Sequence, residues 1–463
     1  MTRSFGVGAL LIVAVAALLA FVHPAFRALP VTPPDTISYI SWDPLRPLAY
    51  PAVLSAASAL DPSLRMLGIV QLALFLASAT ALAWRVSRLL ASPGAGWLLL
   101  SGIVLNPQVV SYAFSAIPES LFTASLMLHV SAVIGLVTTC TRRSALLAGA
   151  SAAFAILLKP VAVAWLGALP LLWWSLRRLT QARQLIIVWG ISLAAPVLAA
   201  SAVNDWRIGV FAPQAAVGFQ LVGLSAPFVD EQTPLEPELL RIRLVEELQP
   251  IRRELASLDA LEWYYFYSSI SYHETIPRVE RVIKEVFPET AGATRDAFVA
   301  LNDVAASITR AAIPHAPWKY ARHIAAHLYG LWLMPLVRSA SEQPPFEGKL
   351  SAMRERLPIL GANPVMYRAI PAPGYWLLRA LLVTAFVGAT AGVLLLVVSP
   401  RVPMAVVAIA YAGALLHAHF LATAAGQTGL PRYALAAWPL TVLVVVGWLA
   451  WLTGAMSKRR SQP

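Results

Sequence analysis

The sequence predicts an all-α polytopic membrane protein of about ten transmembrane helices (range roughly nine to twelve), with a mostly helical domain on the extracytoplasmic side. Three observations predict it. The chain is 58% hydrophobic and 13% charged, about half the charged fraction of a soluble domain, with a mean hydropathy of +0.68. Apolar stretches recur that approach the roughly 20 residues needed to cross a bilayer. Basic residues fall in short, acid-free clusters between those stretches, whereas acids avoid them. Of the 23 acidic residues only Asp35, Asp43, Asp61 and Glu119 precede Asn204, and none follows Glu355.

In chain order, spans are expected at 5–22, 66–83, 95–113, 120–137, 144–158, 160–175, 185–203, 374–398, 402–423 and 433–453. The first has the length of a signal peptide, but further spans follow at once, so an uncleaved helix is expected. The basic clusters are Arg85 and Arg88, Arg142 and Arg143, Arg177, Arg178 and Arg183, Arg401, and Lys458-Arg459-Arg460. Retention of Lys and Arg on the cytoplasmic side puts both termini there. It puts 23–65, 114–119, the turn at Lys159, 204–373 and 424–432 outside. Segments 144–158 and 160–175 are short and parted by Lys159-Pro160, a tight outer turn or a broken helix. Segment 320–337 carries Arg322, His323 and His327. A crossing there would strand the basic tail outside, so an interfacial or half-inserted helix is expected.

Three units follow: an N-terminal transmembrane core over 1–203 with a first outer loop at 23–65, an outer helical region over 204–373, and C-terminal transmembrane helices over 374–463. In the outer region, Pro237–Ser257 and Thr275–Phe287 mix charged and apolar residues at helical spacing. Glu246 and Glu247 with Arg252 and Arg253, and Glu280 with Arg281 and Lys284, read as solvated helix faces.

Composition also excludes. Cys140 is the one cysteine, so neither an intramolecular disulfide nor a cysteine-rich metal site is expected. The net charge of +12 sits in loop clusters, so no nucleic-acid partner is expected. No nucleotide-phosphate loop, dinucleotide-binding glycine pattern or nucleophile elbow occurs. His417 and His419, two residues apart, point to different sides of a helix. His323 and His327 share a face but lack the Glu of the zinc-protease pattern. No metal ligand set is assigned.

A carboxylate near lipid is expensive and is rarely kept without a task or a partner. The outer rim, where the four early acids fall, is therefore where chemistry is expected. Asp43 precedes Pro44 and Asp61 precedes Pro62-Ser63, the places of turn and cap residues. Asp35 follows Pro33-Pro34 and is either a cap or a site residue. Glu119 follows Pro118. It is either an acid suited to the first turn of a helix or a site residue that orients an acceptor or holds a divalent cation. Lys159 and Arg432, at outer span ends, either bind an anion or do not, Lys159 then snorkelling and Arg432 being a loop charge. Arg46 is a third basic candidate. Tyr39 and Tyr433 either line the site or pack at the interface.

Several motifs occur in a fixed order. The first outer loop reads Pro33-Pro34-Asp35-Thr36-Ile37-Ser38-Tyr39, then Arg46-Pro47-Leu48-Ala49-Tyr50-Pro51. Asn106-Pro107 through Tyr112 leads to Ile117-Pro118-Glu119-Ser120-Leu121. Leu157-Leu158-Lys159-Pro160 follows, then Asn204 to Gly223, and Pro431-Arg432-Tyr433 before a span holding Pro439. Together they resemble the GT-C fold polytopic membrane glycosyltransferases, a superfamily that includes protein O-mannosyltransferases and aminoarabinose transferases. The resemblance runs along most of the membrane portion, and residues 225–310 add nothing to it.

It implies transfer of a sugar from a polyprenyl-phosphate donor to a lipid, glycan or protein acceptor, with inversion, on the outer face of a bacterial inner membrane. It implies Asp35 as general base, assisted by Glu119. Arg432, with Lys159 and Arg46, would hold the lipid phosphate, with Tyr39 and Tyr433 nearby. Protein O-mannosyltransferases carry Asp-Glu where this chain has Asp35-Thr36, so neither that subgroup nor a required cation is assigned. A transporter or lipid-carrier flippase is the alternative, but its charges belong midway along broken helices. A non-catalytic envelope-assembly scaffold is a third reading, with no need to gather acids and bases at one face.

Overall fold

In an apolar surrounding every backbone N–H and C=O must be satisfied within the chain, which leaves helices as the local solution for these Leu-, Ala- and Val-rich runs. The computed structural model describes residues 2–22, 35–44, 46–177, 181–258, 262–264, 267, 270–292, 294–333, 338–339, 369–370, 372–399, 402–426 and 431–460. The N-terminal part holds α1 (Thr2–Val22), α2 (Asp35–Ile40), α3 (Ala49–Leu60), α4 (Arg65–Leu89), α5 (Pro93–Val104), α6 (Pro107–Ser111), α7 (Glu119–Thr139), α8 (Arg142–Leu158), α9 (Leu169–Leu176) and α10 (Ala182–Ile208). The outer region holds α11 (Val217–Ser225), α12 (Glu238–Glu247), α13 (Gln249–Ser257), α14 (Ile276–Val286), α15 (Arg295–His315) and α16 (Pro317–Leu333). The chain ends in α17 (Ala372–Val398), α18 (Met404–Gly426), α19 (Pro431–Ala436) and α20 (Trp438–Arg460). Among the described residues the one strand pairing is two residues long, Arg338 with Ala369 and Ser339 with Ile370.

The chain is a helical, membrane-embedded protein. Among the described residues five helices are long and apolar enough to cross a membrane: α4, α7, α10, α18 and Trp376–Val398 within α17. A sixth arises if Pro93–Val104 and Pro107–Phe114, bent by 55°, count as one. Of the other expected spans, 5–22, 160–175 and 433–453 hold shorter apolar helices, and 144–158 falls in α8, 17 residues long. The break at Lys159 has a local cause. A residue before proline is pushed out of the helical region, and Lys159 is extended (φ −147, ψ 109). Pro160–Ala168 then forms a 3-10 helix of 9 residues. With a rise of about 2.0 Å per residue there and about 1.5 Å in α9, the two pieces together reach about 30 Å.

α7 and α18 run in opposite directions. His129 of α7 meets Tyr411 of α18, and Phe122 meets His419. Trp438 of α20 donates to the Gly102 carbonyl of α5 at 2.8 Å. Small residues let backbones approach, as in other membrane bundles. Gly149 of α8 lies against the Trp189 carbonyl and Ser192 of α10, and Gly413 of α18 against Ala389 of α17. One end of the bundle therefore gathers the start of α4, the 112–119 turn, the end of α8, the end of α18 and the start of α19. Arg85, Arg88, Arg142, Arg143, Arg177 and Arg183 lie at the other end.

The outer region has its own core, built by Leu240 and Leu244 of α12, Ile251 and Leu255 of α13, Val279, Val282 and Ile283 of α14, and Ile308 and Ala312 of α15. In α14 the buried residues recur at helical spacing, while Arg278, Glu280, Arg281 and Lys284 form its polar side. Lys284 pairs with Glu280 at 2.6 Å. Glu246 and Glu247, and the Arg252 and Arg253 expected to share a solvated face with them, fall on two helices. α12 and α13 are separate helices meeting at Leu248, and Glu247 instead reaches Arg278 (3.0 Å) and Arg281 (3.2 Å) on α14. The expected boundary at 204 falls inside α10, which continues to Ile208.

The helix expected at 320–337 spans Pro317–Leu333, and 334–337 lie outside the described residues. Tyr320 donates to the Ala425 carbonyl at the end of α18. Twelve residues on, Trp332 packs against Phe386 and Phe420 (centroids 5.1 and 4.8 Å). Arg338 is back beside Ala369, just before α17 begins. α16 thus runs from the end of α18 to the Phe386 and Phe420 rings within the bundle.

Candidate active site

The 112–119 turn sits where α6 gives way to α7, and buried side chains from two other elements hold its carbonyls. Gln71 of α4 donates through Nε2 to the carbonyls of Ala113 (3.2 Å) and Ser115 (3.1 Å). Thr36 of α2 donates to the Ala116 carbonyl at 3.0 Å. A backbone carbonyl buried without a partner is costly, so these bonds fix the turn and aim Glu119 at its end.

Glu119 is 2% exposed, and its Oε1 accepts from Lys159 Nζ at 2.8 Å. The pair joins the N-terminus of α7 to the C-terminus of α8, so each charge also sits at the helix end that favours it. Lys159 Nζ lies 4.4 Å from the Tyr433 ring centroid and 5.9 Å from that of Phe122. Thr123, one turn after Glu119, donates to the Ala436 carbonyl at 3.2 Å. His419 Nε2 faces the Tyr433 carbonyl at 3.3 Å. α7, α8, α18 and α19 therefore meet around one buried ion pair.

α2 and α3 form the flank. Tyr39 and Tyr50 pack edge to face (5.0 Å, 80°), and Tyr50 Oη lies 3.5 Å from Gln71 Oε1. Burial, then the nearby Glu119 carboxylate and Tyr39, push the Tyr50 phenol well above its ordinary range.

Of the residues expected to act, Glu119, Lys159 and Tyr433 are in contact. Tyr39 belongs to the adjoining α2–α3 flank. Arg46 folds back on α2 instead, its Nε donating to Ser38 Oγ at 2.8 Å and its guanidinium lying 4.7 Å from the Tyr39 ring centroid. Asp35 is the first residue of α2, directly before Thr36. Arg432 is the second residue of α19, directly before Tyr433. The side chains of Asp35 and Arg432 lie outside the described residues. Asp61 is a capping residue, accepting from the Ser63 and Met66 N–H groups. Asp43 closes a turn through the Arg46 N–H.

No family model, curated protein or solved structure matches the chain. The site's chemistry therefore rests on its own residues.

The described contacts of Glu119 are those of an ion pair, not of a cation site. A lysine ammonium already sits on the carboxylate, and no group of three His, Cys, Asp or Glu capable of holding a metal occurs among the described residues.

Sequence reasoning missed Gln71, Tyr50, Thr36, Thr123 and His419 as builders of the site. Gln71 had a legible signal, a lone amide inside an apolar run, since a buried polar group needs partners. His419 did not, because its partner, 14 residues on, is a backbone carbonyl.

Proposed function

We propose that the protein is a membrane glycosyltransferase that moves a sugar from a polyprenyl-phosphate donor to a lipid, glycan or protein hydroxyl on the outer face of the membrane. The observation that carries this reading is the meeting of Glu119, Lys159 and Tyr433 at one end of the bundle, between the helix that starts with Asp35 and the helix that carries Arg432. An acid-bearing and a base-bearing element beside apolar helices are what a lipid-linked phosphate donor needs.

In the proposed step the acceptor oxygen attacks the anomeric carbon from the face opposite the phosphate. The carbon–oxygen bond to phosphate breaks as the new one forms, and the anomeric centre inverts. The Asp35 carboxylate takes the hydroxyl proton, and the polyprenyl phosphate leaves with the electron pair, its growing charge held by Arg432. The Glu119–Lys159 pair fixes the floor between them and keeps a cation close to the leaving phosphate. The outer helical region covers the site and presents the acceptor.

Basic clusters that alternate with the ten expected apolar segments support a ten-pass topology with both termini cytoplasmic, as in the GT-C fold. Basic residues at the end away from Glu119 support the same orientation. A bacterial inner membrane fits the short loops at that end.

Replacement of Asp35 by Asn tests the reading. Purified full-length protein with labelled polyprenyl-phosphate sugar should lose transfer by about 10²–10⁴-fold, the usual worth of a general base, with unchanged melting. Transfer at the wild-type rate by Asp35→Asn would remove Asp35 from the chemistry.

A further inference from the structure

We infer that Tyr320 on α16 is a positioning residue for the Arg432-bearing turn, so that the outer helical region sets how the donor phosphate is held; this rests on the proposed transferase reading.

The last carbonyls of a helix have no partner within it. At the end of α18, immediately before the stretch leading to α19, α16 supplies a partner. Tyr320 Oη donates to the Ala425 carbonyl, and His323 lies one turn on along α16. Both rings are tied to the outer region. Tyr320 stacks on His323 (11°, 6.1 Å). His323 Nδ1 accepts from Trp263 Nε1 at 3.3 Å, and its ring lies 4.6 Å from that of Tyr267. Tyr267 in turn donates to the Leu224 carbonyl of α11.

α16 also packs directly on α19. From the bundle side the same stretch is held by His419 at the Tyr433 carbonyl and by Thr123 at the Ala436 carbonyl. α19, which carries Arg432 and Tyr433, is thus held between the bundle and α16. Of these fasteners the one nearest the outer region is Tyr320. A movement of the outer region on acceptor binding would reach Tyr433, and through it Lys159, along this path of contacts.

The test uses the full-length protein in lipid nanodiscs and polyprenyl phosphate as the probe. Tyr320→Phe keeps the ring and removes one hydrogen bond. Binding should weaken about fivefold, the ratio for one ordinary hydrogen bond. KM for the donor should rise by the same factor while kcat holds. Trp263→Phe, which cuts the link on the outer side, should weaken binding in the same direction, and it carries the test if Tyr320→Phe fails to fold. Variants that bind the probe as tightly as wild type overturn the inference. Arg432→Ala separates this from the underlying reading: if it binds the probe as well as wild type, the phosphate assignment itself fails.

Discussion

The Glu119–Lys159 pair makes a demanding prediction, because both groups are buried and their separation is known. At 2.8 Å and an effective dielectric of about 20, the attraction is about 6 kcal/mol before desolvation of either ion. Removing both charges together forfeits that attraction but also the burial of two ions, so the net change should be small. Removing one leaves the other stranded, at a cost of about 3–5 kcal/mol. Lys159→Met strands a carboxylate that is 2% exposed, so about 4 kcal/mol is expected. Glu119→Gln should cost less, since the amide oxygen still accepts from the ammonium. The double variant should lie within about 1 kcal/mol of wild type, giving a coupling of at least about 2 kcal/mol. Reversible unfolding of the full chain in mixed micelles reads all four corners of the cycle. Single-variant costs that simply add, within about 0.5 kcal/mol, would refute the argument. The same double variant separates structure from chemistry: it should keep its stability and still lose sugar transfer.

Other expectations follow from the fold. Gly149→Val would drive a side chain into the Trp189 carbonyl and Ser192 and should destabilise by about 1–3 kcal/mol, whereas Gly167→Ala, with open space around it, should melt like wild type; equal melting of all three would contradict the α8–α10 contact. In the outer region Asp230 titrates below its ordinary 3.8, because the Gln232 N–H, the Thr233 hydroxyl and His315 together outweigh the upward push of burial. A lowered carboxylate stabilises the fold above its ordinary value and loses that contribution as pH falls through the lowered one. Acid titration followed by tryptophan fluorescence should therefore show an acid-side loss that Asp230→Asn lacks, and superimposable curves would count against it.

The sequence made the helical class and the placement of charge legible because both are one-dimensional properties. Hydropathy windows mark apolar runs, and the break at Lys159 follows from the proline after it. A helix over 320–337 was legible too, and α16 covers its described part. What the sequence hid was pairing. Glu119 and Lys159 were each readable as span-end residues, but that they hold each other depends on α7 and α8 packing side by side. Arg46 was read as a third candidate for the lipid phosphate; that its guanidinium packs on Ser38 and Tyr39 depends on the turn at Asp43. The two histidines of α18 were expected on different sides of the helix. His417 meets Thr390 and Trp332, while His419 meets Phe122 and the Tyr433 carbonyl. The second role was invisible because a backbone carbonyl leaves no mark in the residue code.

The nine-residue 3-10 stretch after Lys159 has a consequence for how the bundle tolerates change. With three residues per turn, side chains stack in straight columns, and Ala162, Trp165 and Ala168 are all buried. Rewinding those residues as α-helix would shorten the segment by about 4–5 Å and swing the column off its line. Trp165 would then leave His129 and Phe122, its present neighbours at 5.5 Å. Reach and rotational phase are locked together here, so even a one-residue deletion has no neutral way to be absorbed.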